Sequence, residues 1–174
     1  GETAWLDPAL EARVRALPGV DEVAHADRAP FFIGYDRLTA VWPKTGACEG
    51  NACPKHPIYA VSPGYFQAMG ITLTEGREFE AGRSAAEVIV NDTFARAQWP
   101  DEPALGQMMR IGDRGESVTV VGVTGKTGLR GLDLDRERPS LFIPVGREHY
   151  EGSLTMVVRT AGDPLALVRP VEEA

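Results

Sequence analysis

The chain holds no apolar run approaching the ~20 residues that a helix needs to cross a bilayer, and no leader of the charged-then-apolar secretory kind. Both absences leave location open, because a domain set between two membrane helices would read the same way. A basic stripe is missing too. Eighteen Lys and Arg face 25 Asp and Glu, for a net charge of −7. The cations are scattered singly, apart from Arg136-Glu137-Arg138, where an acid intervenes. That pattern argues against nucleic-acid binding through phosphates and disfavours an anionic lipid surface.

Reactive groups are equally sparse. The three histidines, His25, His56 and His149, lie far apart, and none sits in a metal-ligand or catalytic spacing. No Gly-x-Ser-x-Gly turn exposes a serine, so Ser62 and Ser84 lack the strained elbow of a nucleophile. Gly125-Lys126-Thr127 follows a strand pattern as a phosphate loop would. The first glycine that motif requires falls on Val120, and Gly128 to Leu132 is a poor helix. Asp92, Asp101, Glu102, Asp133, Asp135, Glu172 and Glu173 read as solvated turn and cap acids, and Asp133-Leu134-Asp135 is too short for a calcium loop. No catalytic residue, cofactor site or metal site is expected.

The chain has two cysteines, Cys48 and Cys53, with Gly50-Asn51 between them able to turn. A disulfide across so short a loop would contribute about 2 kcal/mol and would imply an oxidising compartment. Free thiols remain open, as does a metal site that would have to borrow His56 and still be incomplete.

Local patterns are abundant in the 174 residues, enough for one real core. Leu6, Leu10, Val14 and Leu17 recur at helical spacing behind Asp7-Pro8, and Pro18-Gly19 stops that helix before a strand around Val23. Ala29 to Pro57 carries four prolines and both cysteines and reads as an irregular excursion, with short strands near Phe31–Ile33 and Leu38–Trp42. Ile58–Val61 is a strand leading to Ser62-Pro63-Gly64, with Ser62 as cap and Pro63 in the first helical position. Gly70 ends that helix in the left-handed region, and Gly76-Arg77 turns. Glu87–Asn91 is a buried strand; Asn91 or Asp92 caps the next helix, and Pro100 closes it. Gln107–Ile111 and Ser117–Val123 form a hairpin through Gly112-Asp113-Arg114-Gly115. Ser140–Val145 and Leu154–Arg159 are further strands, and Asp163-Pro164 starts a last helix. Tyr65, Phe66, Phe79, Phe94 and Trp99 are expected to form the core of a small lobe, and an exposed Trp5 or Trp42 would mark an interaction surface.

The fold class expected is α+β and two-lobed. A lobe built from residues 1–60 and 112–174 is expected to carry a small α/β lobe, residues 61–111, inserted in it.

The ordered set Val61, Ser62, Tyr65, Phe66, Gly70, Ile71, Leu73, Gly76, Arg77 and Phe79 resembles the MacB-like periplasmic core domain of FtsX-type ABC-transporter permeases. The similarity continues through Val90-Asn91, Phe94-Ala95-Arg96, Trp99-Pro100, Leu105-Gly106, Val120 to Val123, Leu141 to Pro144 and Val157 to Thr160, and spans nearly the whole chain. It implies that the lobe made from both chain ends is a porter-like α/β lobe with the small α/β lobe inserted in it, and that the domain is non-enzymatic and lies on the periplasmic or extracellular side of the inner membrane. Its partners would be its own transmembrane helices, an ABC ATPase, a second permease subunit and a periplasmic adaptor or carrier. Its role would be to couple ATP-driven change to export or docking. Tyr65, Phe66, Gly70, Gly76, Arg77, Phe79 and Asn91 would be structural. The excursion with Cys48 and Cys53 lies outside the pattern. A ligand-binding sensor domain is the alternative.

Overall fold

A computed structural model describes residues 8–29, 37–43, 52–82, 86–128, 137–146 and 154–173. The elements run α1 (Pro8–Arg15), β1 (Val20–Ala26), β2 (Leu38–Ala40), β3 (Lys55–Val61), α2 (Tyr65–Met69), β4 (Leu73–Gly76), β5 (Glu87–Asn91), α3 (Asp92–Gln98), β6 (Met108–Ile111), β7 (Glu116–Thr124), β8 (Leu141–Pro144) and β9 (Thr155–Thr160). A 3-10 turn, Pro164–Leu167, then leads into α4 (Val168–Glu173). The expected strand near Phe31–Ile33 falls outside the described residues, as do Asp7, Trp5, Cys48 and His149.

Alternation decides the strands. In β3, Ile58 and Ala60 enter one core while Tyr59 and Val61 enter another. In β5, Val88 and Val90 are divided from Ile89 in the same way, and in β8 Leu141 and Ile143 are divided from Phe142. A strand with period two and apolar residues on both faces must be covered on both. The sheet is accordingly mixed, in the order β4-β7-β5-β8-β3-β1-β9, with parallel pairs β3–β8 and β5–β7. The fold is α+β, with few and short helices.

β2 and β6 lie off that path and close it. β2 pairs with β3 through Leu38↔Pro57, Thr39↔His56 and Ala40↔Lys55. β6 pairs with β7 from Met108↔Thr119 to Ile111↔Glu116. Val41 then bridges Ile111, with the Trp42 N–H on the Arg110 carbonyl at 2.9 Å and the Gly112 N–H on the Ala40 carbonyl at 2.9 Å. Backbone pairing therefore runs in a ring, β7–β5–β8–β3–β2–β6 and back to β7. Val41, Ile58, Val88, Val90, Met109, Ile111, Val118, Val120, Leu141 and Ile143 form its core, to which α3 adds Phe94, Ala95 and Trp99. Closure removes sheet edges that would otherwise invite foreign strands.

The second core lies on the other face, where α2 packs. It holds Ala24, Ala26, Tyr59, Val61, Tyr65, Phe66, Ile71, Phe79, Ile89 and Phe142. The five aromatics expected in one lobe core are thus divided: Tyr65, Phe66 and Phe79 on this side, Phe94 and Trp99 on the other. The strands of segment 61–111 pair outward, β5 with β8, and β4, β5 and β6 with β7.

Candidate functional site

The Tyr65–Phe79 segment is a clamp around α2. Gly64, at φ 79°, is the N-cap residue, and no side chain caps from that position. The expectation that Ser62 caps this helix, with Pro63 in its first turn, is corrected here. The Ser62 hydroxyl accepts the His25 N–H at 2.8 Å, and its own N–H donates to the His25 carbonyl at 2.9 Å. Ser62 therefore prolongs the β1–β3 ladder, and the left-handed Gly64 turns the chain into the helix. Glu78, thirteen residues past the helix start at Tyr65, supplies the missing acceptors. Its carboxylate takes the Gly64 and Gln67 N–H groups, each at 3.1 Å. An anion suits the exposed amides of a helix start. At the other end Gly70, at φ 68°, returns its N–H to the Gln67 carbonyl. The Arg159 guanidinium of β9 reaches the Ala68 and Gln67 carbonyls at 3.4 and 3.5 Å.

Arg77 fixes the turn that carries Glu78. Its Nη2 donates to the Glu87 carboxylate at 2.6 Å and its Nη1 to the Glu78 carbonyl at 2.9 Å. The hydrogen bond to Glu87 holds the Arg77 pKa above its ordinary value. Gly76, at φ 74°, lies where an added Cβ would stand 2.2 Å from the Val121 carbonyl oxygen. Phe79 then seats against Phe66, with ring centroids 6.4 Å apart.

Asn91 joins β5, α3 and β8. Its Oδ1 accepts the Phe94 N–H at 2.9 Å and the Ser140 N–H at 3.0 Å, and its Nδ2 donates to the Arg138 carbonyl at 2.8 Å. The residue is fully buried, so only an amide with both acceptor and donor ends satisfies this set.

Other candidates are kept apart. The imidazole of His25, buried against α1, lies 3.8 Å from Glu11, and burial lowers its pKa. His56 is edge-on to Phe94 at 5.2 Å; burial lowers its pKa, opposed by a hydrogen bond at the Pro139 backbone. The Ser62 hydroxyl serves backbone groups only, donating to Pro63 at 3.1 Å, so it forms no chain with a histidine. Among the described residues no group of three His, Cys, Asp or Glu is placed to hold a metal. Lys126 and Thr127 lie in a loop, where Glu137 accepts the Thr127 N–H and hydroxyl. Cys53 is buried and disulfide-bonded.

A cavity of about 120 Å³ opens where β2 and β6 part, lined by Trp42, Pro43, Trp99, Met108 and Arg110 among others. Trp42 is half-buried. Its indole N–H bonds the Gly112 carbonyl at 2.8 Å, and the Arg110 guanidinium stacks over its ring at 4.5 Å. Trp42 apart, composition carried no signal for this place, because Val41 and Ile111 are 70 residues apart and only their bridge makes it.

The profile of the MacB-like periplasmic core domain matches residues 2–172. No curated protein sequence matches the chain. Among solved structures, it is similar to the periplasmic region of MacB from Actinobacillus actinomycetemcomitans, with a TM-score of 0.60 at 16% identity, covering 95% of this chain and 70% of that one. It is similar also to the extracellular domain of the ABC-type transporter YknZ from Gram-positive bacteria, with a TM-score of 0.58 at 15% identity, covering 94% and 76%. At such identities the structures speak for the fold, and the profile match over almost every residue speaks for descent. The chain belongs to the MacB-like periplasmic core domain family.

Proposed function

We propose that this domain is the extracytoplasmic part of an ABC-transporter permease in the inner membrane, and that it couples ATP-driven conformational change to substrate export or to partner docking. One observation carries the coupling reading. β1 and β9 are antiparallel neighbours with Val20 opposite Thr160, and the Ala161 N–H donates to the Gly19 carbonyl at 3.0 Å. The strand that follows α1 and the strand that precedes α4 thus meet at one end of the sheet. A force applied there enters β1 and β9 together. From β9 it passes through Arg159 to α2, and from α2 through Glu78 to the turn after β4. A coupling element needs such a contiguous path and two states with different contacts.

The test uses the parent transporter in proteoliposomes, with an environment-sensitive fluorophore on Leu165→Cys, a position 77% exposed beside that junction. ATP is expected to change its emission in the transporter and not in the 174-residue chain alone. Emission indifferent to ATP in an actively transporting sample overturns the coupling reading.

A further inference from the structure

The ring of strands has one short joint, the seam between β2 and β6. Val41↔Ile111 is the one bridge there among the described residues, whereas β5–β8, the next shortest joint, has two register pairs and β5–β7 has five. The Trp42 N–H crosses the seam to the Arg110 carbonyl, and the Gly112 N–H crosses it to the Ala40 carbonyl and the Thr39 hydroxyl. The neighbouring groups point away. The Val41 N–H donates to the Pro54 carbonyl just before β3, and the Val120 N–H of β7 donates to the Gln107 carbonyl just before β6. Parting β2 from β6 therefore breaks no β2–β3 or β6–β7 pair. It leaves an open sheet in the order β2-β3-β8-β5-β7-β6.

Trp42 bolts this joint. By chain it continues β2, but its indole is held by the β6–β7 hairpin. The Gly112 carbonyl accepts its N–H at 2.8 Å, and the Arg110 guanidinium covers one face at 4.5 Å. The ring also lies against Gly115, where an added Cβ would stand 2.8 Å from Trp42 Cε2. Against this clip stands a penalty. Trp99 is 6% exposed and lines the cavity at the seam, yet its indole N–H has no acceptor. A buried donor without a partner is unfavourable, and water entering a parted seam would satisfy it. A single bridge and one clip, opposed by an unsatisfied donor, make a joint that opens below the free energy of global unfolding.

We propose that the ring opens at the β2–β6 seam, with Trp42 as the clip that leaves the β6–β7 hairpin and admits water to the Trp99 indole. The closed and open rings differ in their contacts at this one joint, as two conformational states must. The device goes beyond the coupling path through α2. It belongs to the core that α3 covers, and it is read in the chain alone, without ATP.

The test is native-state hydrogen exchange of the ¹⁵N-labelled 174-residue chain, followed by NMR. The Trp42 and Gly112 amides should exchange on the order of 100-fold faster than those of Val41 and Val120, although Val41 and Trp42 are neighbours. Trp42→Ala should speed the Gly112 amide about tenfold further and leave Val120 unchanged. Gly115→Ala should speed the Trp42 amide about tenfold by displacing the ring. Gly112→Ala is its control, with a positive φ in the same turn and nothing within 4 Å of the added Cβ, and should leave that amide unchanged. The proposal is overturned if Trp42 and Gly112 exchange only as fast as Val120, because the ring then parts only when the whole chain unfolds. It is overturned equally if Val41 keeps pace with Trp42, which would mean that β2 frays from β3, or if the two glycine variants act alike.

Discussion

Gly76 and Gly122 stand opposite each other across β4 and β7 with no side chain between the two strands. A Cβ on Gly76 would meet the Val121 oxygen at 2.2 Å and Leu105 Cδ1 at 2.6 Å, and one on Gly122 would meet the Arg77 oxygen at 2.6 Å. The close approach lets the Arg77 N–H reach the Val121 carbonyl at 3.0 Å and aims the next residue, Glu78, at α2.

Gly76→Ala adds both an overlap and the strain of a left-handed alanine. It should cost on the order of 3 kcal/mol or more, about 10 °C in Tm for a chain of this size. Gly82→Ala is the control, since Gly82 shares the positive φ, at 76°, with nothing within 4 Å. Thermal melts separate the two. Equal losses would show that strain alone matters and that the strand approach does not.

Asn91→Ala should be more damaging than an ordinary cap loss. The cap itself is worth about 1 kcal/mol, and the buried Ser140 N–H would lose its acceptor at about 1 kcal/mol or more, whereas the Arg138 carbonyl keeps the Ser140 hydroxyl. Glu78→Ala, by contrast, frees amides that water can reach and should cost about 1 kcal/mol. Urea midpoints should rank the variants in that order. A Glu78→Ala loss as large as that of Asn91→Ala would contradict the capping geometry.

Stability should fall on mild acidification. Burial lowers the pKa of His25 and His56 from the ordinary 6.5, so the unfolded chain binds protons that the folded chain resists. Their stabilising contribution is complete above 6.5 and is lost as pH falls below it. Asp27 has the opposite sign: burial raises its pKa above 3.8, so its neutral form suits the fold and stability declines as pH rises through that raised value. Denaturation midpoints taken from about pH 7 down to about pH 5 should drop, and His56→Gln should flatten the slope. An unchanged slope in that variant would show that His56 takes no part.

We expect the disulfide partner of Cys53 to be Cys48. Iodoacetamide should label neither cysteine of the native chain in denaturant and both after reduction. Reduction should cost about 2 kcal/mol by the chain-entropy estimate for a short loop. Labelling before reduction would refute the pairing.

What the sequence made legible was local. The Glu87–Asn91 strand, the Asn91 cap, the Gly70 stop and the Gly112–Gly115 hairpin turn each follow from residues within a few positions of one another. Glu78 escaped notice because its partners Gly64 and Gln67 precede it by a turn and a strand, and a helix reading looks for its cap upstream. Ser62 misled for the same reason: Ser-Pro reads as a cap locally, and only the pairing with His25, 37 residues away, claims its hydroxyl. The seam was invisible because it is made by Val41 and Ile111, whose encounter no local pattern encodes. The aromatic residues betrayed their burial but not which of two cores would take them.

The hydrogen bond from Ala161 to Gly19 has an evolutionary corollary. Two backbone positions that touch define a doorway one peptide wide, and everything between them can be lifted out or spliced in without parting the host chain. A surface loop of an unrelated protein could hold the ends of residues 20–160 at that spacing, provided that it also replaces α1, whose Val14 is fully buried.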